Sequence, residues 1–76
     1  MDMKVIKLDK RHSLYRYGFK TAFKFNNKYN VQATVLKQYL INNQIRHKEI
    51  GYKYHNAYYI GVYNEDLIPI ILLQLS

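Results

Sequence analysis

Period-two alternation in residues 15–25, YRYGFKTAFKF, constrains the fold more than any other feature of the chain. The odd positions are aromatic or β-branched, whereas the even positions are small or basic. Side chains on a β-strand point alternately to opposite faces of a sheet, so this pattern predicts a long strand with one buried and one wet face. The wet face would be cationic, because it would carry Arg16, Lys20 and Lys24.

A change of period after residue 27 predicts one main helix over about residues 30–43. Asn30 is a suitable N-cap, because its side-chain oxygen can accept an unpaired N–H of the first turn, and Asn42 and Asn43 are suitable stop signals. Its apolar stripe is expected to comprise Val31, Val35, Leu36, Tyr39 and Leu40.

Further strands are expected on both sides of this helix. A short strand over residues 3–8 would precede the long one, and residues 50–54 and 58–62 would form a hairpin through a turn at 55–57. Tyr58, Ile60 and Val62 are expected in the core. After a short turn begun by residues 64–66, the apolar run IILLQL predicts a buried terminal strand.

Taken together, these elements predict an α+β fold in a single domain of 76 residues. The expected architecture is an antiparallel sheet of four or five strands with the main helix on one face. Without the extra N-terminal strand, the order is that of a ferredoxin-like, split βαβ fold. The other sheet face would then be wet or would meet a partner.

Composition limits the possible functions. The chain has no cysteine, which excludes disulfides, thiolate zinc sites and thiol nucleophiles and gives no reason to place it in an oxidising compartment. With no signal-like or membrane-spanning segment, we expect a cytoplasmic protein without membrane contact. Twelve Lys and Arg against five Asp and Glu give a net charge of +7, which favours polyanionic partners.

Two groups of basic residues are therefore candidate binding sites for nucleic acid or an acidic protein surface. The first is the strand face, with tyrosines that could stack bases, and comprises Arg16, Lys20, Lys24, Tyr59 and Tyr63. The second is a basic N-terminal run of Lys4, Lys7, Lys10 and Arg11. The alternatives are a solvated strand face that keeps a small protein soluble, and a flexible charged chain end.

Neither catalysis nor metal binding is expected. The three histidines, His12, His47 and His55, form no helical i,i+4 pair. The only neighbouring carboxylates, Glu65 and Asp66, suit a helix start. Because no phosphate loop or nucleophile motif is present, we expect a protein that is not an enzyme and has no cofactor.

The closing stretch YYIGVYNEDLIPIILLQL, residues 58–75, resembles small orphan proteins encoded by tailed phages. These proteins share an aromatic strand, an acidic turn and a terminal apolar strand, although Pro69 interrupts that rhythm here. The resemblance implies a phage setting, hence the host cytoplasm, and transfers no site residues. Three functions stay open: nucleic-acid binding, inhibition or modulation of a host or defence protein complex, and a virion or assembly component that forms homo-oligomers through exposed tyrosines.

Overall fold

The structure is a computed structural model that describes residues 3–52 and 56–75. Its sheet has four antiparallel strands, β1 (Lys4–Lys7), β2 (Thr21–Phe25), β3 (His47–Tyr52) and β4 (Ala57–Val62). The strands lie in the order β1-β2-β4-β3, so β2 and β3 run parallel to each other on either side of β4. The α+β class, the N-terminal strand and the hairpin are confirmed. The end of the predicted strand, Lys53 and Tyr54, and the first residue of the predicted turn, His55, lie outside the described residues.

The main helix, α2 (Val31–Asn42), forms where the sequence predicts it. The side-chain oxygen of Asn30 accepts hydrogen bonds from the backbone N–H of Gln32 at 2.8 Å and of Ala33 at 3.4 Å. At the other end, the Asn43 side chain donates to the Tyr39 carbonyl at 2.8 Å. Both ends are therefore set by asparagines that satisfy backbone groups left unpaired by the helix.

The expected apolar stripe of α2 is partly wrong. The buried side chains are those of Ala33, Leu36 and Leu40, whereas Val31 is 76% and Val35 49% exposed. Successive residues are about 100° apart around a helix, so Leu36 and Leu40 cannot share one face with both valines. Packing buries the face that carries the two leucines.

The predicted terminal strand is wrong, because residues 68–75 form a helix, α3 (Ile68–Leu75), after a 3₁₀ turn over Glu65–Leu67. Ile68 and Ile71 are buried three residues apart, and Pro69 lies in the first turn, where its missing N–H leaves no bond unmade. A continuous apolar run does not by itself distinguish a buried strand from a buried helix. The ferredoxin-like order is not confirmed, because its last strand is missing and β1 occupies the sheet edge beside β2.

The main core lies between one sheet face and helices α2 and α3. The sheet contributes alternate residues of its two central strands, β2 and β4, and helices α2 and α3 pack on these side chains. Its largest fully buried members are Phe23, Phe25, Leu36, Leu40, Ile60, Val62 and Ile71. Burial of Tyr58, Ile60 and Val62 confirms the core prediction for β4.

The long strand predicted over residues 15–25 is correct only from Thr21 onwards. Its first part instead forms the short helix α1 (Ser13–Arg16), which is capped by Tyr17 and followed by Gly18 with a φ of +95°. That left-handed conformation is inexpensive only for glycine, and it turns the chain back towards the sheet. As a result, Tyr15 and Tyr17 are 39% and 58% exposed rather than buried beneath a strand.

Candidate nucleic-acid interface

Residues 8–19, which we call the strap, cover part of the sheet face opposite the helices. Leu8, Leu14 and Phe19 are buried in a second small core together with Ala22. The strap packs tightly against Gly61 of β4, where a Cβ atom would lie 3.1 Å from Cγ of Phe19. The prediction that this face would be wet or would meet a partner is therefore wrong for its centre, which residues of the same chain cover. Its apolar side chains, which include Ile6 and Ile50, are shielded by the chain itself.

His12 fixes the start of helix α1 within the strap. Its Nδ1 accepts a hydrogen bond from the backbone N–H of Leu14 at 3.1 Å, and its ring meets those of Tyr59 and Tyr52 edge to face, at centroid distances of 4.7 and 5.9 Å. Within the described residues, its Nε2 is buried and has no hydrogen-bond partner. Burial lowers the pKa of His12, against a smaller opposing effect of the Asp9 carboxylate. The imidazole is therefore held neutral, with Nδ1 as acceptor.

We expect the stability of the protein to fall as the pH is lowered through the range below about 6.5, the usual pKa of histidine. Because the pKa of His12 is lower in the folded than in the unfolded chain, the unfolded chain binds more protons there, and acid favours unfolding. Urea midpoints measured at several pH values test this. His12→Asn keeps a capping acceptor but has no side chain that titrates. The urea midpoint of this variant should therefore fall less on acidification than that of the wild type. Equal losses in both proteins would contradict the role of His12.

Three of the predicted site residues form one row across three strands at one end of this face. Lys4 lies opposite Lys24, and Lys24 lies opposite Tyr59, on three adjacent strands. The Lys24 ammonium is 5.9 Å from the centroid of the Tyr59 ring, within the range of a cation–π interaction. The sheet thus places two cations and a partly exposed ring side by side.

A second group of rings and cations lies at the other end of the sheet. The Arg46 guanidinium is 4.3 Å from the ring centroid of Tyr63, and the Lys48 ammonium is 4.5 Å from that of Tyr17. Both rings are accessible, at 49% for Tyr63 and 58% for Tyr17. Tyr63 directly follows β4 and is four residues from Tyr59, a step of about 13 Å at a strand rise near 3.3 Å per residue. Together with the Lys24–Tyr59 pair, these contacts form what we call the cation–tyrosine pairs.

The remaining predicted residues are distributed differently. Lys20 precedes β2 and lines a shallow groove with Tyr63. Lys7 lies opposite Thr21 on the face of the sheet that the helices cover. It therefore does not join the row of Lys4 and Lys24, which is on the other face. Arg16 belongs to α1 rather than to a strand.

The basic N-terminal run does not act as one arm. Lys4 and Lys7 are in β1 and alternate between the sheet faces, while Lys10 lies in the turn that follows. Arg11 forms an ion pair with Asp9 at 2.9 Å, and its side-chain hydrogen bond lowers the pKa of that carboxyl. The four basic residues of this run therefore do not form one continuous basic surface.

Tyr17, Arg46 and Lys48 were missed by the sequence prediction. The signal for Lys48 was present, because it lies two residues before Ile50 and therefore shares its sheet face. Arg46 lies just before the strand, and Tyr17 follows a helix that the alternation hid. No local pattern pairs these cations with their rings.

A groove of about 530 Å³ at one end of the sheet adds amide groups and another ring–cation pair. Tyr29 on its rim is 80% exposed, and the Lys28 ammonium is 5.2 Å from its ring centroid. The other lining residues include three asparagines, Asn26, Asn27 and Asn56. Amides of this kind can both donate and accept hydrogen bonds at a polar ligand.

In the described residues, the cations of the cation–tyrosine pairs do not form ion pairs. In residues 3–52 and 56–75, ion pairs join Arg11 to Asp9 and Lys37 to Glu49, the second at 3.7 Å. Glu49 also accepts a hydrogen bond from the Tyr58 hydroxyl at 2.7 Å, and burial with this contact raises the pKa of Tyr58. Lys24, Arg46 and Lys48 face rings rather than carboxylates.

Within the described segments, no group of three or more His, Asp or Glu side chains is placed to hold a metal ion. His55, one of the histidines considered for such a role, lies outside them. Nor do these segments contain a helix with the length and apolarity needed to cross a bilayer.

Comparisons of the chain with protein-family models, with curated proteins and with solved structures each gave no match. The resemblance to small phage proteins therefore stays a prediction.

Proposed function

We propose that this protein binds single-stranded nucleic acid through the cation–tyrosine pairs on the strap side of the sheet. The observation that carries the proposal is their composition: each of Lys24, Arg46 and Lys48 lies over an accessible or partly accessible tyrosine ring. The proposed activity is binding alone, without catalysis.

The chemistry of each pair suits an unstacked nucleotide. A base can stack on a tyrosine ring for about 1–3 kcal/mol, while the neighbouring cation approaches the phosphate. Tyr17 and Tyr63 are 58% and 49% exposed, so a base could approach each ring beside its cation. A duplex hides the faces of its bases, so a surface of this kind favours single strands.

An acidic protein surface would use the cations but would not need the rings. The pairing of every cation in this set with a tyrosine therefore favours nucleic acid. The acidic-partner alternative, which includes an inhibitor of a host protein complex, becomes one outcome of the test.

Fluorescence anisotropy with a labelled single-stranded oligonucleotide tests the proposal. Three phosphate contacts on a single strand would give a slope of log affinity against log salt of about −2. A duplex of the same length and polyglutamate serve as comparison ligands, and both should bind more weakly. Equal binding of polyglutamate would favour an acidic protein partner, and binding that is insensitive to salt would contradict both.

A further inference from the structure

The outward surface of helices α2 and α3 is uncharged and carries many exposed apolar side chains between the polar residues Thr34, Gln38, Asn42 and Gln74. Val31 and Leu73 are 76% and 75% exposed, and Val35 and Ile70 are each 49% exposed. Val31 and Val35 lie one turn apart on α2, opposite its buried leucines. The two helices pack on the same core, so these side chains belong to one layer, which we call the helix layer.

The helix layer also carries almost no charge. Helix α3 has no charged residue, and the single cation of α2 is Lys37. Lys37 is directed towards the sheet, where it meets Glu49 at 3.7 Å and the Tyr58 ring at 5.6 Å from its centroid. A helix whose outer face meets only water ordinarily carries charged or polar residues there, whereas α3 exposes mainly Ile70, Leu72 and Leu73. Exposed apolar patches of this kind mark interaction sites.

We propose that a second copy of this chain binds to the helix layer, so that the protein is a two-fold symmetric dimer. Charge favours this face for contact between two copies. Two chains of net charge +7 repel each other, and the repulsion is weakest when they meet through their uncharged sides, because the basic surfaces are then farthest apart. Contact there buries apolar surface without removing an unpaired charge from water.

The same charge distribution argues against a lipid surface. Helices that lie in a membrane interface carry Lys and Arg beside their apolar face, where the cations reach anionic headgroups. Here the cation–tyrosine pairs are on the opposite side of the sheet from α2 and α3. Dimerisation through the helix layer would leave both nucleic-acid faces directed outwards.

Sedimentation equilibrium over a range of protein concentrations, without nucleic acid, tests the dimer. Leu73→Glu and Val35→Glu replace exposed side chains, and two-fold symmetry introduces each charge twice into the contact. We expect either change to raise the dimer Kd by about 100-fold. Tyr15→Glu adds the same charge on the strap and should leave the Kd unchanged.

Circular dichroism melts establish that the variants are folded. A wild-type protein that stays monomeric at the highest concentration would overturn the proposal, as would a Kd that neither substitution changes. A monomeric wild type whose binding to anionic vesicles is lost in Leu73→Glu would also overturn it, in favour of a lipid surface. Because no nucleic acid is present, these outcomes are independent of the proposed binding function.

Discussion

The double variant Arg46→Gln/Lys48→Gln is expected to bind a single-stranded oligonucleotide about 30-fold more weakly than the wild type at physiological salt. Each substitution removes a cation that lies over a tyrosine ring, at 4.3 Å for Arg46 and 4.5 Å for Lys48. Losing two phosphate contacts on a single strand should also make the salt slope shallower by about 1.4. Anisotropy titrations at several salt concentrations measure both quantities.

The matched control is Lys7→Gln/Lys10→Gln, which removes the same net charge from the basic N-terminal run. The structure places Lys7 on the helix side of the sheet and Lys10 in a turn, so this variant should keep most of the affinity. Equal losses in the two double variants would mean that net charge alone attracts the ligand. The cation–tyrosine pairs would then have no special role.

Phe19→Ala is expected to destabilise the protein by about 3–5 kcal/mol. The ring is only 3% exposed, lies directly on Gly61, and meets Tyr63 edge to face at a centroid distance of 6.0 Å. A domain of this size has a free energy of unfolding of about 4–11 kcal/mol, so the loss is a large part of the total. Urea denaturation measures it, and Tyr15→Ala, an exposed ring in the same strap, should change stability by less than about 0.5 kcal/mol.

A double-mutant cycle with Gly61→Ala tests the packing itself. The new methyl group would meet Phe19 atoms at 3.1–3.2 Å in the wild-type background, closer than ordinary van der Waals contact. Phe19→Ala removes the close contacts with Cγ and Cδ1 and keeps the one with Cβ at 3.2 Å, so Gly61→Ala should cost less, but not nothing, in that background. Additive effects would show that the strap does not rest on β4.

Local signals predicted much of the fold. Asn30 and Asn43 satisfy backbone groups within a few residues of themselves, so the bounds of α2 could be read from their neighbours. The alternation of Tyr58, Ile60 and Val62 likewise needs only the pleat of one strand.

The errors arose where a local pattern fits two structures. The alternation continues through residues 15–19, but Gly18 takes a φ of +95° and the preceding residues coil into α1. The closing apolar run contains too few polar residues to distinguish the period of 2 of a strand from the period of 3.6 of a helix. In both places the packing of distant segments decides the outcome.

The residues of the candidate interface likewise fall into two groups, those that the sequence predicted and those that depend on tertiary contacts. Lys24 and Tyr59 were both predicted site residues, and register places them opposite each other. The pairing of Arg46 with Tyr63, and of Lys48 with Tyr17, depends on how β3, β4 and the strap meet. Contacts between segments so far apart in the sequence cannot be predicted from the pattern of any one of them.

The near absence of charge from the helix layer has a kinetic consequence. The segments 30–45 and 64–75 contain one base, Lys37, and two acids, Glu65 and Asp66, whereas the rest of the chain holds eleven bases and three acids. Such an uneven distribution gives the molecule a permanent electric dipole moment. In the field of a polyanion this dipole produces a torque, which rotates the protein during its diffusional approach and turns the cations towards the ligand before the first contact.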